Sequence, residues 1–198
     1  MTRSIVLSRT RVLALTVAAT LLALVAWQLV APRPASTNVG AATGGVHITM
    51  TVKGHKQGSF KGEDNAGPKK LGIITVVGYQ YEVSSPRDAA SGLPTGKRQH
   101  KPVVITHEMA GSSPQFLNAL ATNEVLDEVV INFFRTERTG QEVNYYTVKL
   151  TDATVSDDKQ YTSGNTVLED IAFTFRKIEQ EDKIAKTMFV DDWSSPVT

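Results

Sequence analysis

From Val46 the chain alternates. Val46, Ile48, Met50 and Val52 are apolar and the residues between them are polar or charged, the two-residue period of a strand with one buried face. Residues 54–70 break that period with Gly54, Gly58, Gly62, Gly67 and Pro68 and read as a loop. Residues 71–83 are apolar and β-branched, ending in the alternation Val77, Tyr79, Tyr81 and Val83. A long polar connection, 84–101, holds Pro86, Gly92, Pro94 and Gly96, and a short strand follows at 103–106. Ser113 as cap and Pro114 at the first helical position predict one helix, ending near Asn123, with Phe116, Leu117 and Leu120 on one face. Strands resume over 125–134, 143–150, 154–161 and 168–178, with a turn at Gly140 and with Ile171, Phe173 and Phe175 on one side of the last. Short strands, a single short helix and no βαβ rhythm make the domain all-β dominated: a small antiparallel barrel or a sandwich. The end, 181–198, reads as a C-terminal tail, charged at first and then apolar at Met188, Phe189, Val190 and Trp193; it is expected to be partly ordered or to dock on this domain or a neighbour.

The first 45 residues follow different rules. Val12–Ala31 carries no charge, and as a helix that run is about 30 Å long, the thickness of a bilayer core. Arg3, Arg9 and Arg11 precede it in the basic segment 1–11, so its N-terminus is expected inside and the rest outside the membrane. Trp27 sits near the far end, where an indole suits the interface. The run is long for a cleavable signal, and Pro32-Arg33-Pro34 is a poor cleavage site, so an uncleaved anchor is expected over a long signal segment. Residues 32–45 are Pro, Ala, Ser, Thr, Gly and Asn with one Arg, a flexible linker.

The chain has 198 residues, 41% of them hydrophobic, and a formal net charge of +1, which argues against bulk electrostatic binding of nucleic acid. The absence of cysteine excludes disulfides, thiolate metal sites and cysteine nucleophiles. No nucleophile elbow is present, and Gly111-Ser112-Ser113 is the start of the helix. Gly92–Arg98 resembles a phosphate loop but has three residues between its glycines, Arg98 where Ser or Thr would hold magnesium, and no following helix. His47, His55, His100 and His107 lack metal-ligand spacing, and Asp157-Asp158 and Asp191-Asp192 read as solvated turns. No catalytic, cofactor or metal site is therefore expected. One charge feature remains: Arg87, Lys97, Arg98 and Lys101 outnumber Asp88 in the 84–101 loop of an otherwise net acidic domain, a contrast suited to an acidic protein partner.

That loop also carries a family resemblance. Val83-Ser-Ser-Pro-Arg-Asp-Ala-Ala-Ser-Gly92 with Thr95-Gly-Lys-Arg-Gln-His-Lys-Pro102 resembles the long loop of the haemolysin-coregulated (Hcp) tube proteins of type VI secretion systems. The likeness continues through Ile105-Thr-His-Glu108, Ser112–Leu120, Thr122-Asn-Glu124, Tyr145–Thr151, Ala153–Ser156 and Ile171–Glu179, in one colinear order over 46–180. The resemblance implies a non-enzymatic, Hcp-like β-barrel that forms hexameric rings. Rings would stack into a tube able to carry effector proteins, with sheath and spike components as further partners, and Arg87, Lys97, Arg98 and Lys101 would belong to a ring-stacking loop. Members of the family normally start at the first strand and assemble in the cytoplasm before secretion. Residues 1–45 depart from that pattern and point to an extracytoplasmic, secreted or inner-membrane-anchored relative, or to a protein-binding module that forms no injection tube.

Overall fold

The computed structural model describes residues 47–62 and 72–194. The leader 12–31, the linker 32–45 and residues 63–70 of the loop before the second apolar run lie outside the described residues. Among the described residues, no helix is long and apolar enough to cross a membrane.

The first strand, β1 (His47–Gly54), has the expected period, with Ile48, Met50 and Val52 buried and Thr51 and Lys53 exposed. It is followed by β2 (Gly58–Ser59), β3 (Ile74–Gln80), β4 (Val83–Ser84), β5 (Gln99–His100) and β6 (Val103–Glu108). Then come helix α1 (Ser113–Thr122), β7 (Val125–Thr136), β8 (Glu142–Ser163), β9 (Thr166–Asp182) and β10 (Thr187–Asp192). All pairings are antiparallel. The order β9-β6-β3-β1-β7-β8 closes on itself because β8 also pairs with β9, giving a barrel and not a sandwich. Closure removes the free edges that an open sheet would expose. β9 is long enough to share one edge between two neighbours: Leu168–Phe173 pairs with β6, and Lys177–Asp182 pairs with β10.

The interior is apolar and tight. Met50, Ile74, Ile105, Leu126, Ile131, Leu150, Ile171, Phe173 and Ile178 are fully buried. Helix α1 packs against β8 and inserts Phe116, whose ring lies 5.1 Å from that of Phe60 and 6.0 Å from that of Phe173. Its N-cap is Ser112 and not Ser113, so Pro114 falls one position later than its spacing suggests. The Ser113 hydroxyl turns back to accept the Ala110 N–H at 3.1 Å. Leu117 is exposed, and the inward face is Ser113, Phe116 and Ala119 with Leu120 half-buried.

Irregular residues interrupt the period at several places, among them Val77 and Asp152. A bulge between Val76 and Gly78 leaves Val77 exposed while Tyr79 and Tyr81 pack on the core. In β8, Asp152 takes a left-handed backbone (φ 48°) between inward-facing Leu150 and Ala153. The predicted strands 143–150 and 154–161 are therefore one strand that bends at Asp152. The aspartate pairs expected in solvated turns lie in strands, Asp157-Asp158 in β8 and Asp191-Asp192 in β10. The segment read as a tail is an added edge strand: β10 pairs with β9 from Thr187↔Asp182 to Asp192↔Lys177.

One polar cluster lies inside. His107 Nε2 is 3.0 Å from Glu169 Oε2 with both side chains fully buried, and Gln160 Nε2 donates to Glu169 Oε1 at 2.8 Å. Burial first, and then the charge of Glu169, push the Asp158 carboxyl up to about 6. Burial also disfavours the Glu169 anion, but hydrogen bonds from His107, Ser113 and Gln160 outweigh it and hold that carboxyl low.

Candidate functional site: a basic hairpin and its anchor

The 84–101 connection is an extended hairpin. β4 and β5 pair through Val83↔His100 and Ser84↔Gln99, and an isolated bridge joins Arg87 to Pro94. The Thr95 N–H donates to Pro86 O at 3.0 Å and the Asp88 N–H to Leu93 O at 2.9 Å. Asp88 builds the tip: its Oδ1 accepts the N–H groups of Ala90 (3.1 Å) and Ser91 (2.7 Å) and the Ser91 hydroxyl (2.8 Å). Those bonds, led by the Ser91 hydroxyl, hold the Asp88 carboxyl below its ordinary value. Gly92 closes the turn with φ +69°. The tip is exposed, and Leu93 is 65% accessible.

The root of the hairpin is tied to the last strand. Arg98 donates through both Nε and Nη2 to the carboxylate of Asp191, and His100 Nε2 meets the same carboxylate at 2.8 Å. Asp191 is buried, and the Arg98 bonds, acting against its burial and aided by His100, hold its carboxyl low. Tyr81 hydrogen-bonds His100 from the other side, and burial followed by the Asp191 charge raises its phenol to about 12. The rings of Trp193 and Phe175 pack on His100 at 5.2 and 5.7 Å.

The four basic residues therefore divide. Arg98 is bound to its own barrel, and Lys101 pairs with Glu82 at the base, 2.8 Å away and largely exposed. Arg87 donates to Gly92 O at 3.1 Å within the tip. Arg87 and Lys97 are exposed and meet no carboxylate among the described residues. Sequence reasoning found the basic group but not its anchor, because Asp191 is 93 residues from Arg98 and only the pairing of β10 brings it near. Among the described residues no group of three or more His, Cys, Asp or Glu could hold a metal ion.

The comparisons with known proteins agree with this architecture. The family model described as "Type VI secretion system effector, Hcp" matches residues 49–181. The Major exported protein of Pseudomonas aeruginosa strain PAO1 is 41% identical over 164 residues, covering 75% of this chain and 95% of that protein. The secreted protein Hcp3 of Pseudomonas aeruginosa superposes with a TM-score of 0.63 at 34% identity, covering 76% of this chain and 99% of that one. Hcp1 of the E. coli EAEC 042 pathovar gives 0.68 at 26% identity, covering 75% and 99%. The barrel, its packed helix and the hairpin thus stand in a chain that belongs to the Hcp family of type VI secretion tube subunits, which are structural proteins and not enzymes.

Proposed function

We propose that this chain forms hexameric rings that stack head to tail, with the tip of the 84–101 hairpin as the arm between one ring and the next. The observation that carries this reading is the division of charge: Arg98 fixes the root, which leaves Arg87 and Lys97 on an exposed arm whose base is held in place. The domain without this loop is net acidic, so the opposite face of an identical ring offers the complement. A head-to-tail contact is heterologous and builds open stacks. The tube would accompany effector proteins into or through the secretion apparatus, with sheath and spike proteins as further partners. The test is the Arg87→Glu, Lys97→Glu double variant followed by electron microscopy and native mass spectrometry. Rings persist and stacks are lost; for the unaltered chain, stacks weaken as salt rises, because exposed charges are screened beyond about 8 Å near physiological ionic strength. Stacks that form equally well in the double variant overturn the role of the tip.

Residues 1–45 favour a second feature of this reading: the barrel is exported, and the apolar run 12–31 is an inner-membrane anchor with its N-terminus inside. Its support is twenty uncharged positions behind three arginines. The exported relative named above is in keeping with an extracytoplasmic destination. An enzymatic reporter fused after Thr198 becomes active outside the cytoplasm, and fractionation with N-terminal sequencing of the recovered species separates an anchor from a cleaved signal. A soluble cytoplasmic product beginning near residue 46 overturns the anchor and leaves the ring reading in place.

A further inference from the structure

We infer that the interior cluster of His107, Asp158 and Glu169 is a proton-binding site that works as a latch between helix α1 and the β8–β9 end of the barrel, closed when one proton sits between the two carboxyls. The inference does not depend on the ring reading above.

Three strands and the helix bring the cluster together. Glu169 lies opposite His107 on β6 and opposite Gln160 on β8. Asp158 lies opposite the fully buried Ile171, the next residue after Glu169 on the inner face of β9. Helix α1 covers them: its Ser113 is buried, and the Phe116 ring lies 5.6 Å from that of His107. The side chains of His107 and Glu169 are fully shielded from water.

Hydrogen bonding in the cluster leaves one carboxylate unserved. Gln160 Nε2 donates to Glu169 Oε1 at 2.8 Å, His107 Nε2 stands 3.0 Å from Glu169 Oε2, and the Ser113 hydroxyl also serves Glu169. All of these donors aim at the same group. Both Asp158 carboxyl oxygens are buried and meet no donor among the described residues. A buried anion without a donor is costly. A proton on Asp158 turns it into a donor toward Glu169 and removes the repulsion between two carboxylates in the interior.

Neighbouring charges do not take the place of that proton. On β8, Asp157 adds a like charge, and Lys159 turns to the other face, 5.3 Å over the Tyr161 ring. On β9, Asp170 also turns to that other face, where it accepts the hydroxyls of Thr106 (2.6 Å) and Tyr161 (3.2 Å). Glu108 at the end of β6 is exposed, and α1 contains no ionisable side chain. Among these groups only His107 can offset the carboxylates, and it lies against Glu169.

The direction of the pH response follows. The Asp158 carboxyl stands at about 6 in the fold against an ordinary 3.8, so the closed cluster holds its proton more firmly than an opened one. Opening is hardest near the lower value, eases as pH rises between the two and levels off above the higher. Glu169 has the opposite sign: its carboxyl is held low, so its share of the closure is present above its ordinary 4.5 and is lost in stronger acid. The latch is therefore firmest in mild acid and loosest at neutral pH. What it releases is lightly held, a helix of 10 residues and a stretch of β8 whose Asp157, Lys159 and Gln160 are exposed.

The test uses the full-length chain. Amide hydrogen exchange, expressed as protection relative to the intrinsic rate at each pH, is read for α1 and residues 157–161. Protection there falls at least about tenfold between about pH 4.5 and about pH 7, and these amides exchange before those of β1 and β7. Asp158→Asn, whose amide can donate toward Glu169 at any pH, removes that fall. Carbon-13 NMR of the aspartate carboxyls needs no variant: in the unaltered chain one aspartate titrates well above 3.8, and its signal is missing from the Asp158→Asn spectrum. Protection of α1 that does not change with pH, or an α1 that opens only together with β1 and β7, overturns the latch. So does a spectrum in which no aspartate titrates above its ordinary value.

Discussion

His47, His55, His100 and His107 each face a carboxylate, at 2.7, 3.0, 2.8 and 3.0 Å, but the pairs differ in worth. The first two are exposed and contribute little in water. Buried carboxylates matter more, and Glu124 shows why. Its Oε1 accepts the N–H groups of Lys56 (2.7 Å) and Gln57 (2.8 Å), and its Oε2 accepts Gln57 Nε2 (2.9 Å). Burial disfavours its charge, yet these donors win and its carboxyl stays below the ordinary value. Gly54 leaves the space, since a Cβ there would stand 2.6 Å from Glu124 Oε1. Glu124→Ala orphans two backbone donors and costs about 1–3 kcal/mol in denaturant unfolding. Because the folded pKa is depressed, Glu124 adds stability above its unfolded value and that stability is lost as pH falls through the folded one, so the penalty of the variant shrinks in acid. Asp158 has the opposite sign. Its raised pKa makes the charged form costly in the fold, so Asp158→Asn raises the melting temperature most above pH 6, and the gain fades as pH falls toward 3.8. A variant equally stabilised at pH 4 and pH 8 contradicts that account.

At the scale of elements, the apolar period in the sequence located every long strand except β10 and missed their joins. In β1 the apolar set Ile48, Met50 and Val52 faces in as the period predicts, although Thr49 is buried too and the register shifts at Lys53–Gly54. The side-chain faces of β3 and β8 were not legible in this way, because the bulge at Val77 and the left-handed Asp152 each change which later side chains face inward. No local signal marks either: Val is a favoured strand residue, and Asp152 is held by the distant Arg176, whose Nε donates to it at 2.7 Å. β10 was hidden for another reason, since three consecutive apolar residues have no period. Helix α1 was found from Pro114 and its apolar residues, but a helix of 10 residues does not fix which of two leucines faces in. Phe116→Ala should cost about 3–5 kcal/mol, Leu120→Ala less than a fully buried leucine would, and Leu117→Ala almost nothing. Chemical denaturation of the three variants checks the ranking, and equal losses at Leu117 and Phe116 would contradict the packing.

For the whole molecule, the barrel closes without help from the hairpin, while the hairpin depends on the last strand. Asp191→Asn should therefore act in two places unequally. Loss of the charge-assisted bonds costs about 1.5–3 kcal/mol. Amide exchange quickens across residues 84–101 and 187–193, while β1 and β7 remain protected. Uniform loss of protection would mean that the anchor supports the barrel itself. The candidate site was half legible for the same reason: charge counting finds four basic residues, but which are free and which are spent is decided by a strand 93 positions away. The Arg98–Asp191 contact also bears on mechanics. In the stack proposed above, a hairpin joined to its barrel only by the two chain crossings at its base would bend under a lengthwise load like a cantilever. The guanidinium–carboxylate pair adds a third attachment, on a strand bonded to β9 over its full length. On that proposal the arm is a braced bracket, and a load at its tip would pass into the barrel wall and not into a hinge.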